Sequence, residues 1–249
     1  MRSRSGPLQR MKSRPPSRTG RCPLFRAVLR ALVPPVWRTL PWRAAALAGA
    51  GGLLLAGSTR LPERVPDQGA GWAVLRLVAL LGAVAFGFIL DDPARHTTAA
   101  APVGRAVRAG LRTALALPVA AVWWTTALLL IPGPARPPAG PVTVEAAAMA
   151  TTALALATAV IRCTDGTRPG RTTAARLALA APALALVPDR WGLLGVPGEP
   201  WWTGTQVRWA SVLCLTALWC AVATPEPLRR WRPGHGRPGD RPGRTSAAR

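Results

Sequence analysis

Two ionisable side chains, Arg76 and Glu145, lie inside long apolar stretches of the sequence. Ionisable groups are costly within a membrane and often mark functional sites there. Both lie near the start of their stretches, 71–90 and 143–161, so they would reach a similar depth if both stretches cross a membrane in the same direction. An intramembrane ion pair is one interpretation. The alternative, which the residues alone favour, is that each side chain extends to the nearer membrane surface.

A second group of polar residues directly follows the stretch 71–90 and comprises Asp91, Asp92, Pro93 and Arg95. Either aspartate can cap the N-terminus of a short helix that has Pro93 at its first position. The joint would then contain a short helix instead of an irregular loop. The alternative is that these residues only end the preceding helix.

Motifs for other chemistry are missing from the sequence. The nearest match to a nucleotide-binding loop, residues 52–59, lacks the lysine that contacts the phosphates. His96 and His235 are too isolated to suggest a metal site, and no serine-hydrolase or metalloprotease motif occurs. Cys214 and Cys220 are expected to pack as small apolar side chains. We therefore expect no enzymatic activity, no cofactor and no metal.

Composition places the chain among membrane proteins. Hydrophobic residues make up 49% of the 249 residues, yet the net charge is +22. The two features separate along the chain, because long apolar blocks alternate with short arginine-rich joints. Arginine outnumbers lysine 31 to 1, as a GC-rich genome such as that of an actinobacterium would produce.

Six apolar stretches are predicted to cross the membrane, since a spanning helix needs about 20 mainly apolar residues. They cover approximately residues 44–59, 71–90, 113–131, 143–161, 174–188 and 207–224. The first is short and rich in glycine. The fifth contains Pro182 and could continue past Asp189 and Arg190 into residues 192–196. The predicted fold is all-α, a polytopic transmembrane bundle of about six spans, or of four if both weak stretches fail.

Basic residues give an independent prediction of orientation. They are abundant before the first stretch, between the second and third, between the fourth and fifth, and after the sixth, and they are scarce in the other joints. Arginine and lysine favour the cytoplasmic side of a membrane. Both termini are therefore predicted to be cytoplasmic, in a multi-pass protein of the cell membrane.

Tryptophans support the same orientation. Five of them lie at or near predicted outer ends, where their amphipathic rings favour the membrane interface: Trp72, Trp191, Trp201, Trp202 and Trp209. Trp123 and Trp124 lie in mid-span and are interpreted as packing residues.

The flanking segments are basic. Residues 1–23 and 225–249 are predicted to be disordered. Within residues 24–43, residues 24–33 are predicted to form an amphipathic helix at the inner membrane surface, which Pro34 and Pro35 end and a linker follows. The alternative is an ordinary basic flank held to anionic lipid. Beside a membrane anchor, anionic lipid is the simpler partner for these basic ends. No specific binding of nucleic acid is expected.

Residues 90–95, the Thr/Ala/Pro/Arg-rich run up to Arg112 and the six-span layout over residues 40–225 resemble actinobacterial ABC transporter permease-like membrane proteins. This resemblance to six-span exporter permeases implies a subunit that forms a homodimer or heterodimer and works with a separate ATPase chain. It also implies an amphipathic helix before the first span, a coupling helix that contacts the ATPase, and an outer segment that dips into the membrane. Residues 24–33, 91–112 and 191–202 are the corresponding candidates.

A different class of function fits the same composition. The chain could anchor or regulate a partner through its basic cytoplasmic segments without transporting anything. Association with an ATPase chain separates the two hypotheses. The substrate and the direction of transport do not follow from the sequence.

Overall fold

A computed structural model describes residues 33–61, 67–91, 105–163, 169–188, 191–195 and 197–223. Throughout these ranges every regular element is a helix, which confirms the all-α class. The chain divides into two units after Leu40. In the first unit residues 33–38 are helical, so Pro34 and Pro35, which were predicted to end a helix, lie within helical backbone. The predicted tails, and all but the end of the predicted amphipathic helix, lie outside the described residues.

The described residues of the second unit form six long helices. They are α1 (Trp42–Ser58), α2 (Gln68–Ile89), α3 (Arg105–Leu130), α4 (Ala139–Cys163), α5 (Pro169–Ala185) and α6 (Trp202–Ala223). Each overlaps one of the six predicted apolar stretches over most of its length. A single 3-10 turn, Gly133–Ala135, lies between α3 and α4. Residues 191–195 are not helical, so α5 does not continue into them as a helix.

Four of these helices are long and apolar enough to cross a membrane, namely α2, α3 from Val107 onward, α4 and α6. This indicates a membrane protein. Helices α1 and α5 have 17 residues each, at the short end of the range for a span. Large apolar side chains cover the outside of the helices, as a lipid-facing surface requires; examples are Leu47, Leu54, Val122, Leu179 and Leu215.

Helix ends are fixed by side chains. Asp67 caps α2 by accepting a hydrogen bond of 2.7 Å from the backbone N–H of Ala70. The last carbonyls of α3 accept hydrogen bonds from two arginines. Arg60 donates to Leu129 and Leu130 at 2.8 and 2.7 Å, and Arg136 donates to Leu129 and to the following Ile131. Cations are favourable at this negative end of a helix.

Helices α2 and α4 form the centre of the bundle. Helix α2 packs against α1, α3, α4 and α5, whereas α4 packs against α2, α5 and α6. Ala83, Ala153 and Leu177 form one buried cluster where α2, α4 and α5 meet. Small side chains at such a junction let helix backbones approach closely, which is how helices associate when lipid removes the hydrophobic driving force.

The ring of Trp123 in α3 packs against glycines of α1. Its indole N–H donates to the carbonyl of Gly49 at 2.9 Å. A Cβ atom at Gly52 would lie 2.6 Å from the Trp123 ring, and one at Gly82 of α2 would lie 2.8 Å from it. The ring therefore occupies space that glycine leaves on two helices. This geometry agrees with the interpretation of Trp123 as a packing residue.

We expect Gly52→Ala to lower the free energy of unfolding by about 1–3 kcal/mol, because the added methyl group overlaps a ring that is held from two sides. Gly57→Ala in the same helix is the matched control, since no atom lies within 4 Å of its Cβ position. That variant should be neutral or slightly stabilising. Denaturant titration in detergent measures both, and equal effects at the two positions would contradict the packing role of Trp123.

Candidate functional site

Polar residues converge at the end of the bundle where α2, α4 and α6 begin. Arg76, Glu145 and Gln206 lie within the first three turns of these helices, and the non-helical segment 191–195 lies against them. We call these three side chains and this segment the polar cluster. One hydrogen bond within it, from Arg76 to the Gly195 carbonyl, joins residues that are 119 positions apart.

Arg76 and Glu145 form a buried ion pair. The Arg76 Nε donates to Glu145 Oε2 at 2.8 Å, and Nη2 donates to Oε1 at 3.2 Å. The Glu145 side chain is 1% exposed and that of Arg76 is 11% exposed. Gln206 Nε2 donates to Glu145 Oε1 at 3.1 Å. The structure thus brings the two residues together inside the bundle. The alternative, in which each side chain extends by itself to the membrane surface, does not fit this arrangement.

The same guanidinium also holds the segment 191–195. Arg76 Nη1 donates to the Leu194 carbonyl and Nη2 to the Gly195 carbonyl, both at 2.7 Å. Its Cζ lies 5.2 Å from the centre of a Trp72 ring, within range of a cation–π interaction. One side chain therefore joins α2, α4 and the segment between α5 and α6.

Four consecutive carbonyls of this segment accept side-chain hydrogen bonds. In addition to the two bonds from Arg76, Arg208 donates to the Gly192 carbonyl and Trp209 Nε1 donates to the Leu193 carbonyl, both at 2.7 Å. Irregular backbone is tolerated at membrane depth only where protein or water satisfies its polar groups. These bonds meet that requirement for residues 192–195.

The tryptophans of this end divide into two kinds. Trp191 and Trp201 are exposed, as rings at a membrane interface would be. Trp72 and Trp209 are buried within the protein, and Trp72 meets Trp202 edge to face with ring centroids 5.1 Å apart. The position of a tryptophan in the sequence, near a predicted outer end of a span, therefore does not tell whether its ring is exposed or packed inside the protein.

Three buried polar atoms at this end have no hydrogen-bond partner among the described residues: Trp72 Nε1, Glu199 Oε2 and Thr205 Oγ1. Two of them surround Gly195. A Cβ atom there would lie 2.8 Å from Thr205 Oγ1 and 3.7 Å from Glu199 Oε2. Because glycine has no Cβ atom, the segment can lie close to the Thr205 hydroxyl group at this position. Buried polar atoms of this kind commonly bind water or a polar solute.

At the opposite end of the bundle, Asp91 connects three helices. Its Oδ1 accepts a hydrogen bond of 2.7 Å from the backbone N–H of Gly170, near the start of α5. Its carbonyl accepts a bond of 3.1 Å from Arg112 Nη1 of α3. A carboxylate is favourable beside a helix N-terminus, so the described role of Asp91 is to hold α5 against the end of α2.

The remaining residues of the predicted joint, Asp92, Pro93 and Arg95, lie outside the described residues. The short helix that they would start therefore stays a prediction. Within the described ranges, no group of three or more His, Cys, Asp and Glu residues is placed to hold a metal ion.

The sequence matches no protein-family model, and it matches no curated protein and no solved structure. The resemblance to permease-like proteins therefore stays a prediction. The geometry of the polar cluster and of the helices around it is therefore the basis for a proposed function.

We expect Arg76→Ala and Glu145→Ala each to lower the free energy of unfolding by about 3–5 kcal/mol, because each leaves the other charge buried without its partner. The double variant should cost less than the sum of the single losses. Unfolding in detergent measures the cycle.

The matched control combines Arg60→Ala with Glu145→Ala, since Arg60 caps α3. These two losses should add. Additive losses for Arg76 and Glu145 as well would mean that the ion pair does not exist in solution.

Proposed function

We propose that this protein is a six-span, permease-like membrane subunit of an ABC-type transporter that works with a separate ATPase chain. The observation that carries the proposal is the segment between α5 and α6. Its carbonyls bind Arg76, Arg208 and Trp209, so it is folded onto the bundle instead of forming a free loop. A folded outer segment at this point of the chain is what the resemblance to exporter permeases implies.

Arginines at the two ends of the bundle support a topology with both termini in the cytoplasm. At the end with the polar cluster, four arginines donate to backbone carbonyls: Arg60, Arg76, Arg136 and Arg208. At the other end, four arginines are exposed, namely Arg43, Arg162, Arg171 and Arg176, whereas among the described arginines of the polar-cluster end only Arg60 is. Exposed arginines favour the cytoplasmic side. The second end is therefore the inner one in this proposal, and the polar cluster lies at the outer one.

Six spans follow from this topology if α1 and α5 cross as well. A helix of 17 residues is about 25 Å long, close to the thickness of the hydrocarbon core. After α5, the chain continues into a segment whose carbonyls in residues 192–195 are satisfied by side chains. Such a segment can lie at membrane depth. In this proposal α5 and the following segment together complete the fifth passage.

A transport function accounts for charges inside the bundle. Ionisable residues within spans commonly line the paths of substrates or ions, and Arg76 and Glu145 are both buried near the outer end. The chain has no nucleotide-binding motif, so the energy would come from a partner. Asp91 anchors α5 and contacts α3, and it is the first residue of the joint that would contact the ATPase. A second permease chain would complete the assembly.

A non-transporting anchor or regulatory protein is the second candidate. The exposed arginines at the proposed inner end, together with the net charge of +22, favour binding of anionic lipid or an acidic partner. This candidate also leaves the polar cluster with a structural role only.

Co-purification separates the two candidates. The tagged chain, extracted mildly from membranes of its source, should carry an ATPase chain with measurable ATP hydrolysis. Asp91→Ala combined with Asp92→Ala should reduce both the association and the hydrolysis, because the coupling joint loses its anchor on α5. The control is Asp91→Asn, which retains an acceptor for the Gly170 N–H. Unchanged association and hydrolysis in the double alanine variant would contradict the coupling role, and absence of any ATPase would favour the anchor.

A further inference from the structure

Polar side chains meet at three places along the interface between α4 and α6. At its outer end Gln206 donates to Glu145 at 3.1 Å. In the middle, the hydroxyl groups of Thr151 and Thr216 lie 2.8 Å apart. Further in, the Cys220 thiol lies 3.9 Å from the Thr151 carbonyl. We call this line of contacts the α4–α6 seam.

The α4–α6 seam is long enough to cross most of a membrane. On α6, Gln206 and Cys220 are 14 residues apart, or about 21 Å. The hydrocarbon core is about 30 Å thick. Polar contacts thus recur at intervals through the apolar interior instead of being confined to one end.

Helix α6 is attached at two places: along this seam, and near its N-terminus by the bonds from Arg208 and Trp209 to the segment 191–195. Its principal helical neighbour is α4, and only Thr205, Trp209 and Ala223 of its residues are buried. Lipid offers no hydrophobic force that would press two helices together, so the polar contacts contribute much of what holds α6 in place. Separation of α6 from α4 would leave the central packing of α2 against α4 intact.

We propose that the α4–α6 seam is the path along which a small polar solute without net charge crosses the membrane, and that it hydrates when α6 moves away from α4. The inference rests on the proposed transport function. Between Thr151 and Cys220 the seam offers hydroxyl groups and a thiol but no charge. A solute can exchange hydrogen bonds with these groups in turn. A permanent closure, in which the same contacts serve only as adhesion between helices, is the competing outcome.

Cysteine labelling tests the proposal with residues that the chain already has. Cys220 lies in the seam, whereas Cys214 on the same helix is exposed on the outside of the bundle. Two variants of the full chain are compared in native membranes, both with Cys22→Ser and Cys163→Ser. One also has Cys214→Ser and keeps Cys220, and the other has Cys220→Ser and keeps Cys214. The probe is a permanently charged, membrane-impermeant methanethiosulfonate, added only at the face of the membrane where α6 begins, because Cys220 lies three residues from the other end of the helix.

We expect Cys220 to be labelled at least about tenfold faster than Cys214, because the reagent attacks the thiolate, which forms where water reaches the sulfur. A third variant adds Thr151→Cys and Thr216→Cys to the Cys220 variant. Oxidation of this pair should cross-link α6 to α4 and reduce labelling of Cys220 to the rate of Cys214.

Labelling of Cys220 at or below the rate of Cys214 would overturn the proposal, and so would labelling that persists after the cross-link forms. Neither readout involves the ATPase. A chain that labels at Cys220 but never binds an ATPase therefore retains the seam as a path and rejects the ABC assignment. A chain that binds the ATPase but is not labelled there retains the assignment and rejects the path.

Discussion

The guanidinium group of Arg76 is the point on which one end of the bundle depends. It pairs with the carboxylate of Glu145 and donates to two backbone carbonyls of the segment 191–195. A charge away from water is tolerated only when it is paired and hydrogen-bonded. The guanidinium group, the carboxylate and the segment can therefore be buried only together. Helices α2 and α4 can keep ionisable groups inside because the segment supplies acceptors, and the segment can pack because the arginine supplies donors.

The two ends of the bundle use arginine differently. At the end with the polar cluster, arginine side chains replace regular hydrogen bonds for helix ends and irregular backbone, as Arg60 does for α3. At the other end the side chain of Asp91 caps α5 and Arg112 donates to the Asp91 carbonyl, while several other arginines face outward. Between the ends, contact depends on small residues and on the Trp123 ring seated against glycines. The polar and the close-packed parts thus contribute to the fold at different depths.

Much of the fold could be predicted from apolar length alone, because every predicted stretch overlaps an observed helix. The pairing of Arg76 with Glu145 was also a possible prediction, since their depths agree, but burial is not visible in a sequence, and the surface alternative was favoured. Gln206 was missed, although it lies near the start of the sixth stretch as Glu145 does in the fourth. The hydrogen bonds to the carbonyls of residues 192–195 could not be predicted, and neither could the bond from Gly170 to Asp91. They form only when distant parts of the chain meet in the folded protein, and the spacing of residues in the sequence does not show this.

Hydrogen exchange of the segment between α5 and α6 tests the role of Arg76 most directly. We expect backbone amides of residues 186–201 to exchange at least about tenfold faster in Arg76→Ala than in the unaltered protein, because the segment loses two of its side-chain bonds and opens locally. Arg60→Ala, which removes a cap from α3, should leave these amides unchanged. Equal protection of the segment in Arg76→Ala and in the unaltered protein would contradict the claim that this guanidinium holds the polar-cluster end of the bundle together.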